Sequence, residues 1–291
     1  YLRYQGLADT DIKYGRQVIT LDNHRFIGHV GWRQNNQTFD AATVVNESLA
    51  DTTLTAGYIY NVNRLFSDAA PDGAGNAGMR TGILNARYDG LEAGSLTGYS
   101  YLLSYNDAPA NSTQSHGVRF SGDTAFSDDL AALYTLEYAQ QSDYDNNGQD
   151  FDVDYYLIEG GIEASGITVK LGREMLGSDS GDFAFDTPLA TLHAMNGWTD
   201  KFLNTTGTTD GDGLVDTYAS IGGNLGGFNL MAIHHEFESD NASIDYGSET
   251  GILAVRPITE NYTVGFKAAS YSADDFSVDT DKAWLWASAS F

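Results

Sequence analysis

The chain has 291 residues, and its 40 Asp and Glu outweigh its 15 Lys and Arg to give a formal net charge of −25. This balance excludes the usual nucleic-acid-binding protein, which needs a basic surface against phosphates. Hydrophobic residues make up 42% of the chain, yet no run reaches the about 18 apolar residues of a membrane-spanning helix. A chain of this kind can cross a membrane only as a closed β-barrel, because backbone groups in lipid need internal partners.

Alternating apolar and polar side chains recur along the whole sequence. The 32 glycines, 18 tyrosines and 14 phenylalanines, with only 4 prolines, favour many regularly paired strands over helices. Alternation predicts strands, in chain order, at 1–7, 11–19, 29–45, 52–66, 80–91, 95–105, 115–126, 130–140, 151–164, 167–176, 214–225, 228–237, 244–258, 262–271 and 282–291. Short turns and longer polar loops separate these segments in turn.

This rhythm predicts a single all-β domain over 1–291, a transmembrane antiparallel up-and-down barrel with about fifteen strands in the sequence. In the segment 130–140, Leu136 and Tyr138 share one face, whereas Thr135 and Glu137 share the other. We expect the apolar faces to contact lipid and the polar faces to line a wet lumen, with the short turns at the periplasmic side. A soluble propeller is the alternative, but the sequence shows no repeat of propeller-blade length.

The last segment, 282–291, alternates strictly and ends on an aromatic residue. Its small and apolar face carries Ala283, Leu285, Ala287, Ala289 and Phe291. Its mixed face carries Lys282, Trp284, Trp286, Ser288 and Ser290. A terminal Phe on such a strand resembles the C-terminal signature of bacterial outer-membrane barrels. Because such barrels have an even number of strands, we expect roughly one to three N-terminal strands to be missing, for about sixteen to eighteen in the complete protein.

Basic residues inside strands are the first candidates for the lining of a pore. Alternation directs Arg87 and Arg119 into the lumen, and it does the same for Lys170, Arg256 and Lys267 if their strands keep a simple period of two. Clustered lumenal cations would favour an anionic solute. The alternative is that each cation pairs with a lumenal acid. The acids available for such pairing are Asp89, Asp123, Glu137, Glu159 and Glu174.

One short motif occurs twice, as Lys-Tyr-Gly-Arg-Gln at 13–17 and as Lys-Leu-Gly-Arg-Glu at 170–174. Strict alternation places the Lys and the Arg of each copy on opposite faces. A bulge at Gly15 or Gly172 would instead turn both charges into the lumen. The sequence leaves both arrangements open.

Two longer segments resemble a known family. The segment 14–41 begins Tyr-Gly-Arg-Gln-Val-Ile-Thr-Leu-Asp-Asn-His-Arg-Phe, and 185–202 reads Phe-Asp-Thr-Pro-Leu-Ala-Thr-Leu-His-Ala-Met-Asn-Gly-Trp-Thr-Asp-Lys-Phe. Both resemble the alginate export family of outer-membrane proteins, particularly its porin-like members. The resemblance implies a monomeric barrel of about eighteen strands, and it makes Arg16, Arg25 and Arg33 candidate pore cations. The strong acidity of this chain departs from an alginate exporter, so the resemblance speaks to fold more than to substrate.

The segment 178–213 is far too long for a hairpin loop and too apolar to extend freely into water. We expect it to fold into the mouth of the barrel and to narrow the lumen, with a short helix around 190–197. The residues expected at this constriction are Phe185, His193, Trp198 and Lys201. The alternative is a cap packed over the outer rim.

An acidic hairpin tip at 143–154 has the spacing of carboxylate oxygens found in calcium loops. Its candidate ligands are Asp143, Asp145, Asn147, Asp150 and Asp154. The flanking segments are predicted strands rather than helices, and position twelve is Asp rather than Glu. A solvated acidic tip is therefore the competing interpretation of this segment.

No enzyme motif is present in the sequence. The 6 histidines show no His-Glu-x-x-His spacing, and there is no Gly-x-Ser-x-Gly elbow or phosphate loop. We therefore expect a non-enzymatic outer-membrane channel of a Gram-negative bacterium, without a cofactor unless calcium binds. Its partners would be outer-membrane lipid, lipopolysaccharide and small hydrophilic, anionic or saccharide-like solutes, with a monomer expected rather than a trimer. The alternatives are an exporter of an anionic polysaccharide such as alginate, an outer-membrane hydrolase, and a calcium-binding surface barrel.

Overall fold

A computed structural model describes residues 1–32, 35–66, 70 and 75–290 of the chain. Its strands, in chain order, are β1 (Leu2–Tyr4), β2 (Thr10–Gln17), β3 (Thr38–Asn46), β4 (Thr52–Asn63), β5 (Ala77–Leu91), β6 (Gly94–Leu103), β7 (Thr113–Ser127), β8 (Leu130–Asp143), β9 (Asp152–Ala164), β10 (Ile167–Leu176), β11 (Ser178–Asp179), β12 (Phe183–Ala184), β13 (Leu214–Leu225), β14 (Phe228–Glu238), β15 (Asp245–Pro257), β16 (Tyr262–Ser272) and β17 (Thr280–Ala289). Within the described residues, fifteen of them form one sheet in sequence order, and β11 with β12 forms a separate two-stranded sheet. The prediction of an all-β, antiparallel up-and-down arrangement of about fifteen strands is confirmed.

Short turns join the strands at one end of this sheet, and long loops join them at the other end. The Gly226-Gly227 turn between β13 and β14 has both residues at positive φ, 60° and 80°. Such turns match the right-handed twist of the strands that they connect, and glycine adopts them without a steric penalty. A two-residue turn of this kind fixes the register of Leu225 opposite Phe228.

The segment 29–45 differs from its prediction, because β3 begins only at Thr38. Val30 and Gly31 have positive φ values of 70° and 63°, which no regular strand accommodates. The carbonyl oxygen of His29 accepts hydrogen bonds from the amides of Gly31 and Gln37, so the described residues before β3 belong to a loop. The alternation of apolar and polar residues predicts a strand here, but the positive φ values of Val30 and Gly31 are incompatible with one.

The connection between β10 and β13 holds little helix. A 3₁₀ turn at Leu192–Ala194 lies within the stretch where a short helix was predicted. The α-helix α1 (Thr205–Thr209) comes later, and the side chain of Asn204 caps it by accepting from the amide of Gly207. In the described part of the chain, no helix is long and apolar enough to span a bilayer.

Each long strand has two faces. One face becomes less exposed toward the end of the sheet that carries the long loops, and the other face stays exposed. We call these the covered face and the exposed face. On β8, Thr135 and Glu137 lie on the covered face, whereas Leu136 and Tyr138 lie on the exposed face. The predicted division of this strand is therefore confirmed.

The chain divides into two compact units. The first comprises Tyr1–Ser121, Glu137–Tyr155 and Phe185–Leu192, and the second comprises Gly122–Leu136, Tyr156–Ala184 and His193–Phe291. In the first unit, residues of the loop 18–37 are buried together with the segment 185–192. In the second unit, the segment 193–204 packs onto the covered face of β13 to β17.

Candidate functional site

A buried ion pair lies on the covered face of the first unit. Arg119 Nη1 donates to Glu137 Oε2 at 2.5 Å, and the Tyr99 hydroxyl donates to Glu137 Oε1 at 2.8 Å. The Glu137 side chain is only 1% exposed. A buried carboxylate needs partners of this kind, because an unpaired one would carry a large desolvation cost. Arg119 is thus on the predicted face, with its charge balanced by an acid.

A second cation lies in the same row of the sheet. Arg87 pairs in register with Thr97, which pairs with Arg119, so the two arginines share the covered face two strands apart. Arg87 donates to Asp89 at 2.9 Å and is half-exposed. The alternative of charge pairing therefore describes Arg87 and Arg119 better than a free cationic surface does.

Aromatic rings fill the space above this row, toward the long loops. The ring of Phe26 lies 4.9 Å from Tyr99, 5.5 Å from Tyr155 and 5.8 Å from Phe185, between centroids. Phe185, one of the predicted constriction residues, is completely buried in this cluster. Loop and strand side chains therefore form one apolar layer on the covered face of the first unit.

The loop 18–37 also buries basic groups. Arg25 is 1% exposed, and its guanidinium lies over the Tyr155 ring at 5.9 Å. Burial, and then the neighbouring His29, lower the pKa of His24 below its ordinary value. Protonation of His24 therefore costs stability as the pH falls through the ordinary histidine range toward that lowered pKa.

The repeated Lys-x-Gly-Arg motif keeps strict alternation in both copies. Register is continuous through Gly15 and through Gly172, so no bulge turns the arginines inward. Arg16 lies on the exposed face and pairs with Asp40 at 2.8 Å. Arg16 is thus placed away from the covered face, in contrast to the role that the family resemblance implied, and Arg33 lies outside the described residues.

In the second unit, Lys267 is the most deeply placed lysine of the covered face. Its side chain is buried, and its Nζ lies 2.7 Å from His193 Nε2. The other ring nitrogen of His193 lies 2.6 Å from Asp200 Oδ1. Lys282 Nζ donates to the Thr199 carbonyl at 2.5 Å and lies 3.4 Å from Asp200. Two strand lysines thus hold the segment 193–200 from β16 and β17.

Glu249 on β15 is the strongest anchor of the same segment. Its carboxylate accepts the amide of Thr199 at 3.0 Å, the Thr199 hydroxyl at 2.5 Å, and a short hydrogen bond from the amide of Trp198. Gly197 precedes these amides with φ of 86°, and a Cβ there would meet the Glu249 carboxylate at 2.7 Å. The loop therefore approaches the carboxylate as closely as it does only because residue 197 is glycine.

Asn196 provides a further attachment. Its amide donates to Glu174 at 2.7 Å and to Asp216 at 3.1 Å. Asp216 also accepts from His235 Nδ1 at 2.9 Å. Three neighbouring strands, β10, β13 and β14, thus contribute polar groups beneath one short stretch of loop.

The predicted constriction residues Trp198 and Lys201 occupy different surroundings. Trp198 is buried against Gly251, where a Cβ would meet the indole at 2.7 Å. Lys201 Nζ donates to Ser277 Oγ at 2.9 Å and to Thr280 Oγ1 at 2.8 Å. Burial, and then the charge of Lys282, lower the pKa of Lys201 below its ordinary value.

The remaining predicted cations divide between the two faces. Lys170 lies on the covered face and donates to Glu159 at 2.9 Å, which the Tyr218 hydroxyl also approaches at 2.7 Å. Arg256 pairs in register with exposed Val264 and lies over the Phe228 ring at 4.7 Å. Arg256 is therefore on the exposed face rather than in the expected lumen, since seven residues separate it from Glu249 and an odd spacing reverses the side.

The proposed calcium ligands make other bonds. Asp145 accepts from Arg80 at 2.6 Å and from Ser104 at 2.7 Å, and Asp154 accepts from Tyr138 at 2.7 Å. The Asn147 amide donates to two backbone carbonyls. The described ranges contain no group of three or more His, Cys, Asp or Glu side chains placed to hold a metal. Calcium binding by Asp143, Asp145, Asn147, Asp150 and Asp154 stays a prediction.

Solved structures of outer-membrane porins share this fold. OccAB4 of Acinetobacter baumannii has a TM-score of 0.75 at 14% identity, over 98% of this chain and 72% of that one. OpdL of Pseudomonas aeruginosa has a TM-score of 0.71 at 14% identity, over 96% of this chain and 78% of that one. OpdK of the same species, solved with vanillate, has a TM-score of 0.70 at 14% identity, over 97% of this chain and 76% of that one.

These likenesses establish the architecture of a porin-type barrel protein. They give no support to the narrower resemblance to the alginate export family. No family model and no curated protein matches the sequence.

We predict that Glu249→Gln loosens the segment 193–204. The two backbone donors bond different oxygens of Glu249, so the NH₂ group of glutamine faces one of them, and we expect a loss of about 1.5 to 3 kcal/mol, the range for hydrogen bonds to charged groups. Limited proteolysis of the folded protein should then cut within 193–204 faster than in wild type. Glu236→Gln is the matched control, because the Glu236 side chain is 61% exposed and its carboxylate contacts His234 on the same strand. Equal protection of Glu249→Gln and wild type would contradict the anchoring role.

We predict that Asp145→Ala lowers thermal stability equally in Ca²⁺ and in a chelator. The substitution removes the acceptor of Arg80 and Ser104, and that loss does not depend on a metal. Melting temperatures in both buffers provide the measurement. A decrease confined to the Ca²⁺ buffer would instead establish a calcium site at this hairpin tip.

Proposed function

We propose that the chain forms a channel in the outer membrane of a Gram-negative bacterium, through which small hydrophilic solutes diffuse. The observation that carries this proposal is the division of an up-and-down porin-type sheet into a charged covered face and an apolar exposed face. A soluble protein has no reason to expose continuous apolar rows. Lipid on one side and water on the other account for both faces.

The exposed face of the second unit shows these rows in register. One row contains Val169, Ile221, Ala232, Ile252, Ala268 and Ala283. The next contains Ile167, Gly223, Leu230, Ala254, Phe266 and Leu285. Toward the long loops, the neighbouring row becomes polar with His234, Thr250, Ser270 and Asp281. This boundary supports contact with lipid below the polar row and with lipopolysaccharide headgroups at and above it.

The solute path would run along the covered face, narrowed by the segment 185–202. Burial of Phe185 in the first unit and of His193 and Trp198 in the second supports such a narrowing. The lining would carry nearly balanced charge, because Arg87, Arg119 and Lys170 each face an acid. This balance favours diffusion of small polar solutes over selection of anions alone. We further propose that the channel works as a monomer.

Planar bilayers provide the direct test. We expect the purified protein to insert as ion-permeable steps with weak selectivity between K⁺ and Cl⁻. Removing one member of the buried pair should shift the reversal potential in a KCl gradient, toward anions in Glu137→Gln and toward cations in Arg119→Gln, because each leaves an uncompensated charge. Asp154→Asn on the exposed face is the control and should leave the reversal potential unchanged. Absence of any ion-permeable step in the wild type would refute the channel.

Lipid contact is tested by placing a charge in an apolar row. Ile252 is 48% exposed within such a row, so Ile252→Arg should destabilise the protein folded into lipid vesicles by about 2 to 4 kcal/mol. Val278→Arg is the control, because Val278 is 68% exposed in the loop between β16 and β17. Denaturant titration in vesicles measures both. Equal effects of the two substitutions would show that the Ile252 row does not meet lipid.

A further inference from the structure

Two tryptophans lie in successive rows on the covered face of β17. Trp284 pairs with Lys267 and Trp286 pairs with Gly265 on β16. Side chains two residues apart on one strand are about 7 Å apart along it. Both indoles are half-buried, unlike Trp198 at 8% exposure. A pair of indoles thus faces the side of the sheet that the proposed channel would use for solutes.

The rows around Trp286 differ in charge from those above them. The row of Trp286 continues through Gly265, Val255, Asn229 and Asn224. The next row toward the short turns contains Ser288, Thr263 and Pro257. As the described strands pair, neither row holds a charged side chain, although 19% of the chain is charged. The patch therefore offers hydroxyl and amide groups beside two aromatic rings.

A structural role explains only part of this arrangement. The ring of Trp286 lies directly over Gly265, where a Cβ would meet ring atoms at 2.0 Å, and such covering stabilises a glycine within a sheet. Tyrosine performs the same task elsewhere in this chain, where Tyr99 covers Gly117 and Tyr218 covers Gly172. Covering therefore does not require an indole. Trp284 has a separate structural role, because Lys267 Nζ lies 5.1 Å from its ring centroid and the His193 ring meets it edge-on at 5.6 Å.

The chemistry of the patch indicates its ligand. The flat face of an indole packs against the C–H groups of a pyranose ring, and neutral hydroxyl and amide side chains bond the sugar hydroxyls. An anionic ligand would need a cation, but Lys267 is buried against His193, and Lys282 is engaged with Thr199 and Asp200. The neutral rows therefore provide little attraction for a carboxylate.

We infer that Trp286, Thr263 and Ser288 form a stacking subsite for the rings of neutral saccharides, with the indole of Trp284 at its border. The inference rests on the proposed channel function and names one solute class for it. Stacking of a ring on an aromatic side chain is weak enough for release, as a diffusion path requires. The subsite would hold a sugar ring transiently on the short-turn side of the segment 193–204.

Maltotetraose block of the ion current tests the subsite. The sugar is added to a bilayer that holds the wild-type channel, and its apparent affinity follows from the concentration dependence of the current decrease. We expect Trp286→Ala to weaken this block by about tenfold, because it removes the stacking surface. Trp286→Phe, which retains a ring over Gly265, should keep most of it. The Leu285→Ala channel, which is changed on the opposite face of the same strand, should be blocked by maltotetraose as strongly as the wild type.

Persistent ion conductance in every variant separates this inference from the proposed channel function. If the wild type conducts ions but maltotetraose leaves its current unchanged, the saccharide subsite is refuted while the channel stands. An unchanged block in Trp286→Ala refutes it equally. Block by vanillate in the absence of block by maltotetraose would assign the rings to aromatic carboxylates and overturn the choice of neutral sugars.

Discussion

Backbone pairing commits every strand side chain of this protein to one of two faces, and the remaining features depend on that constraint. A period of two leaves no intermediate position, so a shift of one residue exchanges the surroundings of a whole strand. Arg256 and Glu249 illustrate the consequence within β15. Their odd separation places the carboxylate beneath a buried loop and the guanidinium against Phe228 on the exposed face.

The covered face is suited to holding loops because it presents charge from rigid strands. Glu249 and Lys267 approach the segment 193–200 from neighbouring strands and bond its backbone and side chains. A loop that passes over a sheet has backbone donors and acceptors without strand partners, and burial makes each of them costly unless it is bonded. The polar groups of β15 to β17 satisfy several of these groups. We therefore interpret the charged residues of this face as supports for the loop in addition to any role toward solutes.

The sequence predicted the strands far better than the contacts among them. The ends of β10 and β13 agree to the residue with the alternation, since glycines and polar turns delimit both strands. The prediction failed at 29–37, where positive φ at Val30 overrides a strand-like pattern. The face of Lys267 followed from its strand, but its partner His193 comes from a loop 74 residues away. Local periodicity contains no information about how such a loop folds back.

Glu249 and Gly197 are the residues of the sequence that mark the contact between the loop and the sheet. In the sequence, a carboxylate at a covered-face position lies two residues before the glycine at 251, and in the structure this is where the loop lies close to the sheet. Glycine at 197 marks the other side of the same contact. Neither signal identifies its partner, because many loops could supply the donors. The pairing becomes definite only in three dimensions.

The distribution of charge limits how the proposed channel could select its solutes. The net charge of −25 is not matched by an excess of cations on the covered face, where Arg119 and Lys170 each bond an acid. A balanced lining exerts a weak field on ions, and an acidic exterior would repel anions before they enter. Discrimination must then come from shape, hydrogen bonding and stacking, which act at short range and on neutral molecules as well. The charge-free rows around Trp286 provide those three interactions on a rigid strand, whereas the cations above them are occupied by the loop.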